Sequence, residues 1–353
     1  MKVALVHTRL LQRGGLESRM FSYLRYFHER GDTVTVIVSK IDPNVSLPAG
    51  VQLRRIDLSW VPKWLRAPLF NARLGRIVQR ETFDLVLSMG RTTHHHAMIV
   101  GGVHRAYVQA RHRKFLLPTD YLQMWMDRRA YRAPGVLLAA SEMIQEQMVR
   151  YSGADPKKIH VLYPPTDPER FRPEWKQQSA ELRTEFGIPK AAFVLVLLSA
   201  NNRLKGVPLL LKVMAEIEPG TPPIKLYVAG PEPVNSDSPH VHYLGYVRES
   251  HKLLAAADLM VLPSEYDAFG QVVTESLFCG TPVVVSSMVG AQAILTDQEG
   301  IVVDSFAVSA WKNALQEARR RQFVIDRAAV AARGLRFEDH MQDLLQAAGK
   351  SAG

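Results

Sequence analysis

Residues 262–286 read LPSEYDAFGQVVTESLFCGTPVVVS, and the fold is decided here. The stretch opens at the end of a short apolar run, 259–262, whose length and composition predict a buried strand. A turn-rich loop, 264–270, follows. Next come a predicted helix over 271–279, the breaker Gly280-Thr281-Pro282 and a second strand over 283–285. Strand, loop, helix and strand in this order form the repeating unit of an α/β domain with a parallel sheet. Where the loop enters the helix, the first backbone N–H groups have no intrahelical acceptor and suit an anion. Two acids, Asp267 and Glu275, bracket that point.

A chain of 353 residues predicts two domains, each large enough for its own core. The single cysteine, Cys279, excludes a disulfide scaffold and a cysteine-rich metal site, and its apolar neighbours place it in a core. The opening MKVALVH runs straight into a glycine-bearing loop, so no signal peptide is expected. No apolar stretch is long enough for a bilayer, and the expected location is cytoplasmic. The net charge of +10 is uneven: residues 1–165 carry 25 Lys/Arg against 12 Asp/Glu, leaving 19 against 22 for the rest. The first half therefore faces an anionic partner. Nucleic acid, an anionic membrane and a phosphorylated acceptor all remain open at this level.

Short apolar runs alternate with helical patterns through the first half. Strands are predicted over 3–6 and 34–38, with a helix over 17–29 that carries Met20, Phe21, Leu24 and Phe27 at helical spacing. Gly14 and Gly15 follow the first strand, where a Rossmann-like domain opens its ligand cleft. They do not form GxGxxG, so a dinucleotide site has little support; a tight turn and the close approach of a ligand explain them equally well. Further strands are predicted over 51–56, 83–88, 136–140 and 159–162, with a helix over 121–131, and Ser141 is placed to cap a helix starting at Glu142. Residues 60–77 mix Trp60, Trp64, Leu65, Leu69 and Phe70 with Lys63, Arg66, Arg73 and Arg76. Such a basic amphipathic segment either lies on an anionic membrane or packs on its own domain.

The triplet His94-His95-His96 does not read as a metal site, because adjacent side chains point to different sides and no helical histidine pair with a carboxylate accompanies it. His104 follows Gly101-Gly102 and precedes Arg105; it fits either a cleft lining, bonding a sugar hydroxyl or phosphate, or a structural position. Arg105, Arg111, Arg113 and Lys114 make the strongest local basic patch, without a zinc-finger, RNA-binding or helix-turn-helix signature. The proline-rich run 163–168 ends this half and sets the domain boundary.

The second half restarts with a helix over 181–186 and a strand over 193–198. The polar segment 199–206, SANNRLKG, carries Arg203 and Lys205 into a helix over 207–217. Strands over 224–228 and 241–244 and a helix over 248–256 precede the quoted stretch. A strand over 301–303, a helical tail from 307 and a last helix over 337–348 follow it. Arg203 and Lys205 come after one strand and residues 267–270 after another, so in a parallel sheet both loops emerge at the carboxyl edge, where ligands bind. A guanidinium fork and an ammonium there suit a diphosphate. Glu275 stands in an apolar helix where a bare carboxylate is costly to bury, and ribose hydroxyls are its natural partner. Singly, each charge could cap a helix or face solvent; the combination points to a nucleotide.

With these motifs the chain resembles glycosyltransferase family 4, of the GT-B fold, and among its members the bacterial lipopolysaccharide core glucosyltransferases. The resemblance covers nearly the whole chain. It runs through Gly14-Gly15-Leu16-Glu17, Gly102-Val103-His104-Arg105-Ala106, Ser141-Glu142-Met143, Asn202-Arg203-Leu204-Lys205-Gly206 and Gly245-Tyr246-Val247. Its most specific part is the quoted stretch, where the family carries Glu, seven residues, Glu, then Gly-x-Pro-Val. It implies two Rossmann-like α/β domains facing across a cleft: 1–165 for the acceptor and 166–335 for the nucleotide sugar, with a C-terminal helix, 336–353, crossing back to the first. Asp267 then stands near the transferred hexose, and the backbone of Ala268, Phe269, Gly270 and Gln271 near hexose and phosphate. Glu275 binds the ribose, and Arg203 and Lys205 neutralise the diphosphate. Gly14 and Gly15 close over the phosphates, and His104 lies beside the reacting sugar. Gly245, Tyr246, Val247 and Arg248 approach the base, and Arg105, Arg111 and Arg113 lie on the acceptor side. The chain departs from the family in two places. Asp267 is one methylene shorter than the usual glutamate, and Pro164-Pro165 replaces the usual Asn-Gly.

The activity so implied is retaining transfer of a hexose, glucose favoured, from a UDP-linked donor to a lipopolysaccharide core or similar lipid-linked saccharide. No cofactor and no essential metal are expected, and the chain is expected as a monomer in peripheral contact with an anionic membrane at the cytoplasmic face of the inner membrane. The alternative is a sugar-nucleotide epimerase or hydrolase of GT-B architecture. A nucleic-acid-binding protein, prompted by the basic half, is a rival of another class that leaves the C-terminal constellation unexplained.

Overall fold

Residues 1–11, 15–218 and 220–349 are described by a computed structural model. The chain divides into two units, Met1–Leu162 with Met341–Gly353, and Tyr163–His340.

In the first unit the order is β1 (Lys2–Leu10), α1 (Gly15–Glu29), β2 (Thr33–Ile41), β3 (Gln52–Arg55), α2 (Lys63–Arg80), β4 (Leu85–Ser88) and β5 (Ala97–Val100). Then come α3 (His104–Ala110), α4 (Pro118–Arg132), β6 (Val136–Ala139), α5 (Glu142–Ser152) and β7 (Ile159–Val161). The strands form one sheet in the order β3-β2-β1-β4-β5-β6-β7, every neighbouring pair parallel. Parallel strands are covered on both faces, and β4, β5 and most of β1 and β2 are accordingly buried apolar runs. On α1 the inward residues are Met20, Tyr23, Leu24 and Phe27. Ser141 caps α5 as expected, its hydroxyl accepting the Ile144 N–H at 3.3 Å. The basic segment 60–77 forms most of α2: Phe70 and Leu74 pack against Ala4, Val6, Ile37 and Val86, while Trp60 and Trp64 stay 70% and 58% exposed.

The second unit continues with α6 (Glu174–Gln177), α7 (Ser179–Glu185), β8 (Phe193–Leu198), α8 (Val207–Glu216), β9 (Ile224–Ala229), β10 (Val241–Tyr243), α9 (Ser250–Ala256) and β11 (Leu259–Leu262). It closes with α10 (Gln271–Phe278), β12 (Val283–Ser286), β13 (Gly300–Val303), α11 (Val308–Arg320) and α12 (Arg327–Ala331). The final helix, α13 (Phe337–Ala347), runs across the division between the units. The sheet order is β10-β9-β8-β11-β12-β13, again parallel throughout. Strand order reverses between β8 and β11, so the loops leaving these two strands stand side by side at the carboxyl edge, the usual ligand position of a doubly wound sheet.

Several elements are absent from the sequence-based expectations. The strand β5 and the helix α3 lie in the basic stretch after the histidine triplet, where a four-residue apolar run is followed at once by glycines. The short helices α6 and α12 are too brief to show a period. Among the described residues no helix is long and apolar enough to cross a membrane.

Candidate active site

The second unit places Arg203, Lys205, Asp267 and Glu275 near the β8/β11 switch point. The loop after β8 is a pinned turn. The Ser199 hydroxyl donates to Asn202 Oδ1 at 2.7 Å, the Asn202 N–H donates to Glu232 Oε2 at 2.7 Å, and the Asn202 amide donates to the Glu232 and Pro233 carbonyls. Gly206 ends the turn at φ +77°, where a Cβ would lie 2.1 Å from the Pro263 carbonyl oxygen. Only glycine allows the β8 loop to sit this close to the exit of β11. Arg203 and Lys205 ride on this turn, and the Lys205 ammonium donates to Asp267 Oδ2.

The loop after β11 is held from its other side by the exit of β12. The Asp267 N–H donates to the Met288 carbonyl at 3.0 Å, the Asp267 carbonyl accepts from Gly290 N–H at 3.0 Å, and the Phe269 carbonyl accepts from Ala291 N–H at 2.7 Å. Phe269 is buried, its ring stacked on Tyr163 at 5.5 Å between centroids. Gly270, at φ +84°, caps α10; a Cβ there would meet Val289 Cγ1 at 2.6 Å. No side chain caps the helix. Among the described residues the N–H groups of Gln271 and Val272 therefore find no acceptor, beside the Lys205–Asp267 pair.

Glu275 lies one turn into α10. Burial pushes its carboxyl up to about 7, against the opposing pull of Arg170 and Lys205. Its carboxyl has no hydrogen-bond partner among the described residues. A desolvated, unpaired carboxylate facing two cations is poised to accept from a ligand's donors. Arg170 also reaches the third loop of the edge, donating to the Arg248 carbonyl at 3.1 Å. That loop starts at Gly245, φ +70°, whose carbonyl accepts from Gly230 N–H at 2.8 Å, and Tyr246 on it is 75% exposed.

Lys205, Asp267, Phe269, Gly270, Gln271 and Glu275 thus belong to one locality, with Arg203 on the adjoining turn and the loop from Gly245 to Arg248 tied in by Arg170. Neither Arg170 nor Tyr163 was singled out from sequence. They sit just after the last strand of the first half, in a segment without helical or strand period, and the only signal was the pair of arginines, Arg170 and Arg172, flanking Phe171.

In the first unit, His104 opens α3. Its N–H donates to Asp127 Oδ2 at 2.9 Å, and its Nε2 lies 2.8 Å from Asp120 Oδ1. Arg113 donates to Asp120 Oδ2 at 2.6 Å. Arg111 stacks on Tyr107 and donates to its hydroxyl at 3.1 Å, and Arg105 does not join the Asp120 cluster. Gly14 lies outside the described residues; Gly15 is the first residue of α1. The three adjacent histidines each have a local place. The His94 ring rests where a Cβ on Gly75 would be, only 2.6 Å away, and His96 Nδ1 accepts from Val86 N–H at 3.0 Å. His95 is buried beside Thr92, and burial brings its pKa down to about 4. Among the described residues no three His, Cys, Asp or Glu side chains gather as metal ligands.

Two family models match the chain: Glycosyltransferase Family 4 over residues 13–170 and Glycosyl transferases group 1 over residues 192–320. A probable transglycosylase of Burkholderia thailandensis is 29% identical over 362 residues, covering 100% of this chain and 98% of the relative. Among solved structures, WaaG, a glycosyltransferase involved in lipopolysaccharide biosynthesis, superposes with a TM-score of 0.76 at 18% identity, covering 98% of this chain and 97% of that one. Anabaena HepE in complex with UDP-glucose gives 0.71 at 16% identity, covering 98% of each chain. At these identities the structural likeness speaks for the fold. Together with the two parallel sheets, these matches show a glycosyltransferase of GT4/GT-B type, with a family 4 match in its first half and a group 1 match in its second.

Proposed function

We propose that this glycosyltransferase moves a hexose, glucose favoured, from a UDP-linked donor to a lipopolysaccharide core or similar lipid-linked saccharide, with retention at the anomeric carbon. The observation that carries the donor half is the Lys205–Asp267 pair beside the uncapped start of α10, with the unpaired Glu275 a turn further on. Lys205 and Arg203 bind the diphosphate, the first N–H groups of α10 share it, and Glu275 accepts from the ribose hydroxyls. Asp267 lies toward the hexose with the backbone of Ala268, Phe269 and Gly270. The loop from Gly245 to Arg248 meets the base.

As the bond from anomeric carbon to phosphate oxygen lengthens, positive charge grows on the sugar ring and negative charge on the leaving diphosphate. Lys205 and Arg203 stabilise the latter. The diphosphate then takes the proton of the acceptor hydroxyl that attacks from the same face. Two cations at the diphosphate supply the charge that a divalent ion would, so transfer is expected to persist in a chelator.

His104 faces the sugar, with Arg105 and Arg111 on the acceptor side. Contact with an anionic membrane at the cytoplasmic face is supported by the exposed Trp60, Trp64 and Leu65 among Lys63, Arg66 and Arg73, and by Phe115, Leu117, Tyr121 and Trp125 exposed beside Lys114 and Arg129. Salt-sensitive binding to anionic vesicles, weakened in Trp60→Ala/Trp64→Ala, is the expected result; no binding would remove the membrane from the proposal.

The deciding experiment is a nucleotide-sugar screen with purified protein and a truncated lipopolysaccharide acceptor, read by product mass and linkage. Retained transfer from UDP-glucose supports the proposal. Hydrolysis or epimerisation of the donor regardless of acceptor would overturn it.

A further inference from the structure

His104 is gripped at two points by acids seven residues apart on α4. Its backbone N–H donates to Asp127 Oδ2 at 2.9 Å, and its ring Nε2 lies 2.8 Å from Asp120 Oδ1. The second oxygen of Asp120 has two other donors, the Arg113 guanidinium at 2.6 Å and the Leu117 N–H at 2.7 Å. Asp127 is likewise occupied by Arg91. Both acids are buried. Burial by itself would raise the Asp120 carboxyl; the Leu117 N–H, His104 and Arg113 outweigh it and bring the group down to about 2.

An ionised carboxylate has lone pairs and no proton, so it only accepts. Nε2 of His104 must then carry a hydrogen. In the neutral ring this leaves Nδ1 with the lone pair, and Nδ1 has no protein partner among the described residues. Arg113 already compensates the Asp120 charge, so the pair is satisfied without a proton on Nδ1.

We infer that Asp120 is a positioning residue that sets the Nε2–H tautomer of His104 and makes Nδ1 a hydrogen-bond acceptor for a hydroxyl group of the saccharide. The saccharide rests on the proposed function; the tautomer does not. Arg113 serves Asp120 in this arrangement rather than an acceptor phosphate.

Asp120→Asn tests the idea sharply. The two donors at Oδ2, Arg113 and Leu117, hold the amide oxygen on their side and put the amide nitrogen at the place of Oδ1. An N–H aimed at Nε2 requires a lone pair there, so the tautomer inverts to Nδ1–H. Long-range 1H–15N spectra of histidine-labelled, substrate-free protein at pH 8, with His104→Gln for assignment, read this directly. Nε2–H in the parent and Nδ1–H in Asp120→Asn are expected. Nδ1–H in the parent, or an unchanged tautomer in the variant, overturns the inference. In transfer assays Asp120→Asn should lose about 10- to 50-fold, the worth of one hydrogen bond to a charged or oriented group. It should lose nothing further in a His104→Ala background; an equal loss there means that Asp120 does not act through His104. A parent with the expected tautomer but no transferase activity would defeat the proposed function and leave the role of Asp120 at His104 standing.

Discussion

Replacing Glu275 by Gln is expected to stabilise the unliganded protein while weakening its hold on the donor. Burial raises the carboxyl from 4.5 to about 7, with Arg170 and Lys205 opposing. The unfolded chain releases this proton near pH 4.5; the folded chain keeps it to about pH 7. The folded state therefore binds the extra proton between those values. The stability it confers is complete below about 4.5, declines as pH rises, and is gone above about 7. The full difference is about 3 kcal/mol. Gln is uncharged at every pH. Glu275→Gln should thus lie within about 1 kcal/mol of the parent at pH 5 and exceed it by up to about 3 kcal/mol at pH 8. For a unit of this size that is about 6–12 °C in unfolding midpoint. Thermal melts at the two pH values give the stability arm, and calorimetric titration with UDP gives the binding arm. Loss of a charge-assisted bond to the ribose should weaken UDP by about 10- to 100-fold. Equal melting shifts at pH 5 and pH 8 would show that the carboxyl is not desolvated, and unchanged UDP affinity would remove the ribose assignment.

Lys205→Ala strips a cation from the diphosphate and leaves Asp267, a largely buried acid, without its partner; turnover should fall by about 100-fold or more, and undiminished transfer would sink the diphosphate role. Gly270→Ala places a methyl 2.6 Å from Val289 Cγ1 in a left-handed backbone, so it should cost about 1–3 kcal/mol of stability and displace the start of α10; an unshifted melt would contradict the geometry. Cys279 is buried, donates its S–H to the His251 carbonyl, and burial pushes its thiol up to about 12. A thiol reagent at pH 8 should label it only after unfolding, and rapid labelling of the native protein would refute this.

The alternation of strands and helices was legible because parallel strands buried on both faces read as short apolar runs, and because Met20, Leu24 and Phe27 repeat at helical spacing. The charges of the candidate site were legible for a related reason: Arg203, Lys205, Asp267 and Glu275 are set directly after, or inside, apolar elements, where charge needs a reason. The strand Ala97–Val100 and the helix from His104 were missed, since four apolar residues between a histidine triplet and two glycines carry no period. Arg170 and Tyr163 were missed for another reason. Their roles come from partners about eighty to a hundred residues away, the Arg248 carbonyl and the Phe269 ring.

The sequence by itself determined the α/β class, the charge asymmetry of the two halves and the loop 264–270 as the centre of the candidate site. These depend on local periodicity and on the cost of burying charge, which neighbours along the chain reveal. Only the tertiary structure decided what each charge meets. Strand order places the β8 and β11 exits side by side, so Lys205 finds Asp267 sixty-two residues away and the two glycines at positions 206 and 270 become obligatory. It also put Asp120, not singled out from sequence, against His104, read as lying beside the reacting sugar, and Arg113, read as an acceptor-side group, in one hydrogen-bonded cluster. Spacing in sequence carries no record of such pairs, because they form across loops whose lengths say nothing about direction.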